Sequence, residues 1–428
     1  MRNTSTKSSD TGEIMNNDSA DDDEPMNEID DLPVIHIDGI DREVSDDLES
    51  VSDEILSQSD IPSDDASLVI EVHSKDVFCV ECFHNRWIAC GSEDDTAALF
   101  DSTVSLTNPV HRITGHNDSV IAVSFSCAGT FLATGDMSGG IVITNVESHN
   151  QICPIEDCSD LEWLQWHSSA DILFAGCNDG LMWMWLMTND GVKQRKVFGH
   201  GGANACTIGK LLPDGKRLLA GYANGSVHLW ILKDSTSSSL TLPSECISVD
   251  VHISHPIAII GTRNGRSYLI GTDNLKVLRE FHTSSPVSGE SMDGDVSVND
   301  IEEERSIECV AFSRDHPWVA VGTSDGILAI YDTNSGLERH QCSHYGESVV
   351  DCRWLSSSDG PPVVLSAYYD GFIRAWDARN GEPIFAVSGG CSKIFAISVI
   401  SDSSNLKIIS ACASGKLRFF DVPPLPSA

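Results

Sequence analysis

The chain has 428 residues, of which 41% are hydrophobic, and its nine Trp and 14 Phe residues suffice for a large buried core. Its formal net charge of −37 disfavours phosphate backbones and anionic membranes as direct partners, because affinity for both depends on Lys and Arg. No apolar run approaches the roughly 18 residues of a membrane helix, and no apolar stretch follows the N-terminus, so neither membrane insertion nor a secretory signal is expected.

Residues 1–66 are dominated by acidic and small polar side chains, with 21 Asp or Glu against three Lys or Arg. Such a segment buries too little apolar surface to offset the entropy lost on ordering. We therefore predict a disordered acidic tail over residues 1–66.

The 14 cysteines are scattered through apolar, strand-like segments. Buried free thiols in a reducing compartment explain that distribution, so we expect a cytoplasmic protein, with the nucleus as a second location. Cys79 and Cys82 have the C-x-x-C spacing of a metal knuckle, but residues three apart on a strand point to opposite faces. Core packing is the favoured interpretation, and neither a metal nor a cofactor is predicted.

From residue 67 onward, short apolar strands alternate with Gly, Asn, Asp and Ser turns in a unit that recurs about every 40–45 residues. Eight copies are found, and seven of them place a glycine between their second and third strands: Gly139, Gly180, Gly225, Gly265, Gly326, Gly371 and Gly415. The longest spacing, after Gly265, contains residues 284–305, whose Ser, Gly and acidic composition predicts a flexible insertion.

These repeats, with a Trp-Asp pair at residues 376–377, resemble the WD40 family. The resemblance implies an all-β propeller of four-stranded blades, here eight, with seven as the alternative. Only seven residues follow Asp421 and three are prolines, so the last blade cannot supply its own outer strand. We predict that residues 67–72 close a propeller spanning 67–422, followed by a short C-terminal tail over 423–428.

One set of polar residues invites a catalytic interpretation. His344, Ser366, Asp370 and Trp376 match the WD40 family's structural hydrogen-bond tetrad, although a His, Ser and Asp set is also found in hydrolases. Here the Asp lies in a turn, and in the family the set ties the strands of one blade together. No Gly-rich phosphate loop or paired-carboxylate site is found elsewhere, so we predict a non-enzymatic protein without catalytic residues.

The functional signal is electrostatic. In a propeller, the loops between blades and the turns between second and third strands open onto one face. The predicted partner-binding rim consists of Asp76, Glu93, Asp94, Asp118, Asp136, Asp160, Glu162, Trp163 and Glu347. Such carboxylates attract Lys- and Arg-rich segments, and Trp163 and Tyr369 offer rings on which Arg can stack. The predicted partner is a basic protein or peptide, bound by a monomer; solvated surface charge, and buried packing for Trp163, are the alternatives.

More specific stretches, including residues 160–167, 182–185 and 328–332, resemble the family of the angio-associated migratory cell protein. The resemblance runs from about residue 70 to residue 422. It implies two roles: fungal relatives are chaperones that hold the basic N-terminal tail of one large-subunit ribosomal protein, and animal members are linked to cell migration and signalling. The acidic rim and tail favour a chaperone for a basic ribosomal protein in large-subunit assembly, with a signalling scaffold as the alternative.

Overall fold

The computed structural model describes residues 63–199, 204–283, 305–343, 347–355, 360–390, 392–402 and 405–425. Within these ranges the chain forms 32 β-strands and no helix. The predicted disordered tail lies outside the described residues except for its last four positions, and the predicted insertion lies outside them except for Arg305. All described residues belong to one structural unit, Leu56–Ala428.

The described strands form eight antiparallel sheets of four strands each, which confirms the predicted eight-bladed all-β propeller. Blade 1 contains β2 (Val77–Phe83), β3 (Trp87–Ser92), β4 (Ala97–Asp101) and β5 (His111–Ile113). Blade 2 contains β6 (Val120–Phe125), β7 (Phe131–Asp136), β8 (Ile141–Asn145) and β9 (Gln151–Ile155). Blade 3 contains β10 (Leu161–Trp166), β11 (Ile172–Cys177), β12 (Met182–Thr188) and β13 (Gly191–Phe198). Blade 4 contains β14 (Ile208–Leu211), β15 (Arg217–Gly221), β16 (Ser226–Ile231) and β17 (Thr236–Thr241).

The second half of the ring repeats this arrangement. Blade 5 contains β18 (Cys246–Val251), β19 (Ile257–Thr262), β20 (Arg266–Gly271) and β21 (Lys276–His282). Blade 6 contains β22 (Ile307–Phe312), β23 (Trp318–Thr323), β24 (Ile327–Asp332) and β25 (Glu338–Ser343). Blade 7 contains β26 (Val349–Leu355), β27 (Val363–Tyr368), β28 (Phe372–Asp377) and β29 (Glu382–Ser388). Blade 8 contains β30 (Ile394–Asp402), β31 (Asn405–Cys412), β32 (Lys416–Asp421) and β1 (Leu68–Glu71).

The burial of each strand follows its place in the blade. The first strands of neighbouring blades pack against one another around a central channel. Second strands such as β3, β23 and β27 are buried along their whole length, because neighbouring blades cover both of their faces. Fourth strands such as β17 and β21 are mostly exposed and form the outer edge. The core is therefore divided among the seams between blades.

The ring closes where the two ends of the propeller meet. Strand β1 pairs antiparallel with β32, with Leu68 opposite Phe419 and Glu71 opposite Lys416. Ile70 is 6% exposed and lies in the apolar cluster that joins blade 8 to blade 1. The N-terminal strand thus becomes the outer strand of the last blade.

One backbone hydrogen bond recurs in every blade and brings two loops together. The N–H of a residue in the turn after the second strand donates to the carbonyl of a residue in the loop before the first strand, over 2.9–3.0 Å. The donor–acceptor pairs are Glu93–Asp76, Met137–Ser119, Asn178–Asp160, Ala223–Ala205, Arg263–Glu245, Ser324–Ser306, Tyr369–Ser348 and Ala413–Lys393. These loops and turns therefore share one face of the ring, which we call the acidic face.

Polar side chains join alternate pairs of first strands inside the channel. Glu81 accepts a hydrogen bond from the Phe125 N–H over 3.0 Å, which links blade 1 to blade 2. The equivalent acceptor–donor pairs are Gln165–Leu211, Asp250–Phe312 and Asp351–Ile397. Hydrogen-bonded polar side chains therefore line part of the channel wall. A cavity of about 1170 Å³ with polar and apolar lining lies beside blades 3–7.

Candidate partner-binding face

The acidic face brings together loops that are far apart in the sequence. It carries every residue of the predicted rim, because each lies in, or directly beside, a loop before a first strand or a turn after a second strand. Asp160, Glu162 and Glu347 are exposed, whereas Asp76 and Asp118 are half-buried. Glu93 is also half-buried and lies 3.6 Å from the Lys75 ammonium.

Several carboxylates lie near Glu162 at the start of blade 3. Although Glu162 is exposed, partial desolvation by its neighbours raises the pKa of its carboxyl above the ordinary value, and the nearby charges of Glu245 and Asp160 raise it further. Arg263, which lies on the same face, forms an ion pair with Glu245. Like charges held this close repel each other, so a cationic group from a partner would relieve the repulsion.

The predicted rim role of Asp136 is wrong, because its carboxylate is fully enclosed. Asp136 is 0% exposed, and its oxygens lie 3.0 Å from His116 Nδ1 and 2.8 Å from the donors Ser138 Oγ and Gly140 N. Burial works against the ionised form, but these hydrogen bonds outweigh it and lower the pKa of Asp136. The residue holds blade 2 together and does not reach a partner.

Asp94 has a similar structural engagement in blade 1. The Thr96 hydroxyl donates to Asp94 Oδ1 over 2.6 Å, the Ser74 N–H donates to Oδ2 over 2.8 Å, and His73 Nδ1 lies 3.0 Å from Oδ1. Burial opposes ionisation, but these contacts together lower the pKa of Asp94 to about 2. Its carboxylate is half-buried, and local donors occupy both of its oxygens.

The full hydrogen-bond tetrad was predicted in blade 7 alone. Within the described residues of that blade, Trp376 Nε1 donates to Ser366 Oγ over 2.8 Å and the Phe372 N–H donates to Asp370 Oδ1 over 3.1 Å. The fourth member, His344, lies outside the described residues.

Comparable histidine networks in blades 1 and 2 were missed by the sequence analysis. In blade 2, His116 Nε2 lies 2.8 Å from Thr134 Oγ1, so a Thr takes the place of the expected Ser. In blade 1, His73 Nε2 lies 3.4 Å from Cys90 Sγ. Burial lowers the pKa of both histidines, as expected for groups enclosed between strands. The available signal was a His about 20 residues before an Asp, at Gly115-His116 and again at His73.

The surroundings of Trp163 agree with buried packing, the alternative to its predicted rim role. A Cβ atom added to Gly176 would lie 2.0 Å from Trp163 Nε1, and one added to Gly209 would lie 2.1 Å from Trp163 Cζ2. The indole therefore rests against bare backbone in blades 3 and 4, and it is half-buried. Its main contribution is to the seam between these two blades.

The residues that surround Tyr369 at the channel mouth were not predicted from the sequence. Phe78 and Phe395 each occupy the second position of a first strand, and Lys393 immediately precedes β30. Their only sequence signal was a Phe at the same repeat position in blades 1 and 8. Their spatial grouping depends on ring closure, since blade 1 and blade 8 meet only when the ring is complete.

The described residues contain no group of three or more His, Cys, Asp or Glu arranged to hold a metal. Cys79 and Cys82 are free thiols on β2, and the Cys79 sulfur lies 3.8 Å from the Val120 carbonyl oxygen of blade 2. Cys82 packs against the cluster that joins blades 8 and 1. The C-x-x-C pair is thus part of two different seams.

No helix that could cross a membrane occurs among the described residues.

Comparison with known proteins shows which proteins this propeller is similar to. A family model described as "WD domain, G-beta repeat" matches residues 66–101, 107–145, 191–230 and 298–332. The chain is 32% identical over 370 residues to the human angio-associated migratory cell protein, covering 84% of this chain and 80% of that protein. It is 22% identical over 415 residues to the ribosome assembly protein SQT1 of Saccharomyces cerevisiae, covering 90% of this chain and 93% of that protein.

Solved structures give the same answer for the fold. The crystal structure of Saccharomyces cerevisiae Sqt1 superimposes with a TM-score of 0.73 at 20% identity, over 85% of this chain and 100% of that one. Chaetomium thermophilum Sqt1 bound to the N-terminus of the ribosomal protein L10 gives a TM-score of 0.70 at 20% identity, over 84% and 100% of the two chains. WD40 propellers typically serve as non-catalytic modules for protein interaction, although the fold alone does not set the partner. The repeats, the eight blades and the identity over most of both chains together show that this chain belongs to the WD40-repeat family of the angio-associated migratory cell protein.

Proposed function

We propose that this protein is a dedicated chaperone that holds a basic segment of a large-subunit ribosomal protein on its acidic face. The observation that carries the proposal is the set of exposed carboxylates on that face, Asp160, Glu162 and Glu347. A nascent ribosomal protein is rich in Lys and Arg, so it would form charge-assisted hydrogen bonds with these groups. The likeness to Sqt1, which has been crystallised with the N-terminus of ribosomal protein L10, supports this class of client.

The physical role of the face is to capture and shield the client. Carboxylates on one rim raise a negative potential that steers a cationic segment toward the ring and increases its association rate. Because these charges are exposed, the attraction is screened over about 10 Å at 0.1 M salt, so the complex should dissociate as ionic strength rises. We place this activity in the cytoplasm, where ribosomal proteins are made, and we assign it to a monomer.

The first test is to identify what the purified protein carries. Full-length protein should be isolated at low salt and washed at high salt, and the released proteins identified by mass spectrometry. A single stoichiometric ribosomal protein released by salt would support the chaperone role. Release of many unrelated proteins and no ribosomal protein would overturn it.

The second test measures capture directly with charge-reversed variants. The probe is a labelled peptide with the N-terminal sequence of ribosomal protein L10, followed by stopped-flow fluorescence. Reversal of three exposed carboxylates on the acidic face (Asp160→Lys, Glu162→Lys and Glu347→Lys) should slow association about tenfold or more. A matched control places the same charge change on the opposite face, in turns between third and fourth strands (Asp190→Lys, Asp234→Lys and Asp273→Lys). Equal slowing in both variants would show that net charge, and not this face, controls capture.

A signalling scaffold is the second candidate, favoured by the 32% identity to the angio-associated migratory cell protein. The same purification separates the two functions. Membrane receptors, kinases or regulators of small GTPases, recovered without a ribosomal protein, would support the scaffold.

A further inference from the structure

Three aromatic rings meet at the channel mouth on the acidic face, and we call them the aromatic site. Phe78 comes from blade 1, Tyr369 from blade 7 and Phe395 from blade 8, and all three are half-buried. The Phe78 and Phe395 rings lie edge to face at 5.3 Å, and the Tyr369 and Phe395 rings do so at 6.0 Å. The three rings together form a partly exposed apolar surface beside the acidic loops, where the side chain of a partner can contact them.

The protein places one of its own cations on this site. The Lys393 ammonium lies 4.9 Å from the centre of the Tyr369 ring, within the range of a cation–π interaction. Lys393 is exposed, and its backbone is fixed because its carbonyl accepts a hydrogen bond from the Ala413 N–H. The site therefore accommodates a positively charged side chain without help from a partner.

Carboxylates complete the environment of that ammonium. A hydrogen bond to the Tyr369 hydroxyl, together with the charge of that group, raises the pKa of Lys393, and the charges of Asp76 and Glu347 add to the effect. Asp76 is held in place because the Ser414 N–H donates to its Oδ1 over 2.7 Å. Aromatic faces beside fixed carboxylates suit a guanidinium group in particular, since its plane stacks on a ring while its edge donates to the acids.

We propose that the aromatic site receives one arginine side chain of the basic client and that Lys393 is a resident competitor which the arginine displaces. The inference rests on the proposed function for the identity of the client, but the site itself is defined by the three rings. Lys393 is suited to displacement because its side chain is exposed and meets Tyr369 at the protein surface. Its removal should therefore strengthen the binding of arginine, and removal of the Tyr369 ring should weaken it.

The test uses full-length protein and two synthetic probes, fluorescein-labelled hexa-arginine and hexalysine, in fluorescence anisotropy titrations. Lys393→Met deletes the competitor and should tighten hexa-arginine binding by about two- to fivefold, the range of one exposed cation–π contact. Lys75→Met is the matched control, because Lys75 lies on the same face and is also exposed but pairs with Glu93. The control removes the same charge without freeing a ring, so it should tighten binding by less.

The second variant asks whether the ring itself selects arginine. The wild-type protein should bind hexa-arginine about two- to fivefold more tightly than hexalysine. Tyr369→Leu should abolish that preference and cancel the gain from Lys393→Met in the double variant. Equal effects of Lys393→Met and Lys75→Met, or an arginine preference that survives Tyr369→Leu, would overturn the inference. That result is distinct from failure of the proposed function, which is measured by binding of the ribosomal protein L10 peptide to the wild-type protein.

Discussion

Replacing Ile70 with alanine tests whether strand β1 holds the ring closed. Ile70 is 6% exposed and contacts the cluster that includes Leu417 and Phe419 of β32. Backbone hydrogen bonds flank it, from the Ser67 N–H to the Phe419 carbonyl and from the Val72 N–H to the Gly415 carbonyl, both 2.8 Å long. The substitution removes side-chain packing and leaves this ladder in place.

The expected loss can be worked from the atoms removed. Ile70→Ala deletes three buried carbons at about 0.8 kcal/mol each, or about 2.4 kcal/mol, before any cavity term. The full range for such substitutions is about 2–5 kcal/mol, and a strand at the outer edge can relax into the gap, so we expect about 2–3 kcal/mol. Unfolding entropy grows with chain length, so for a unit of this size the loss corresponds to a Tm about 3 °C lower.

The control is the neighbouring residue on the same strand. Val69 is 40% exposed and points away from the core, so Val69→Ala should cost under about 1 kcal/mol. Both variants should be compared by thermal unfolding and by hydrogen exchange of β1 and β32, with β10–β13 as an internal reference. Equal destabilisation by the two substitutions, or unchanged exchange in β32 of Ile70→Ala, would refute the packing of β1 as the closure of the ring.

Three further predictions follow from named contacts. Gly209→Ala forces its Cβ against the Trp163 ring and should lower the free energy of unfolding by about 1–3 kcal/mol in thermal unfolding. The control Gly271→Ala meets the movable end of Asn274 and should cost less. Equal costs would contradict the packing of Trp163 in the seam between blades 3 and 4. Burial raises the pKa of Glu81 to about 7, so the folded state holds its proton longer than the unfolded state and stability falls as pH rises from about 4.5 to about 7. Glu81→Gln should flatten that decline and exceed the wild type in stability by roughly 1–2 kcal/mol at pH 8 in urea unfolding, less than the full shift because the side chain is only partly buried. A parallel pH dependence in both proteins would contradict this. Asp136→Asn should lower the free energy of unfolding by about 1–3 kcal/mol, because the carboxylate is enclosed by His116, Ser138 and Gly140. The association rate of the basic peptide should stay unchanged. Slower association with unchanged stability would instead support a partner-binding role for Asp136.

The repeat unit made the blades predictable because its signals are local. Apolar strands and turn residues such as Gly139 and Gly371 recur at nearly constant spacing, and both adopt positive φ in the turn. The prolines after Asp421 indicated that an outer strand had to come from elsewhere, and β1 occupies that place. Strand type and turn chemistry are readable from a few consecutive residues, and the number of blades follows from the count of repeats.

The exposure of individual carboxylates was not readable in this way. Asp136 ends the second strand of blade 2 and Asp160 precedes the first strand of blade 3. Both carry a carboxylate on the acidic face, yet one is enclosed and the other is exposed. His116, 20 residues before Asp136, contributes to this enclosure, and its ring reaches the carboxylate only when the loop before the first strand meets the turn after the second strand. Sequence patterning assigns a residue to a loop, but it does not report which neighbours fold over it.

By itself the sequence determined an all-β ring, favoured as eight-bladed over seven, a strongly acidic chain and the face on which its loops gather. Tertiary structure alone decided which acids remain available, that Trp163 fills the seam between blades 3 and 4, and that Lys393 rests on Tyr369 beside Phe395. The physical reason is that strands and turns are stabilised by hydrogen bonds and backbone preferences close along the chain. Burial, charge pairing and ring stacking depend instead on distances between blades, and these are set only when the ring closes.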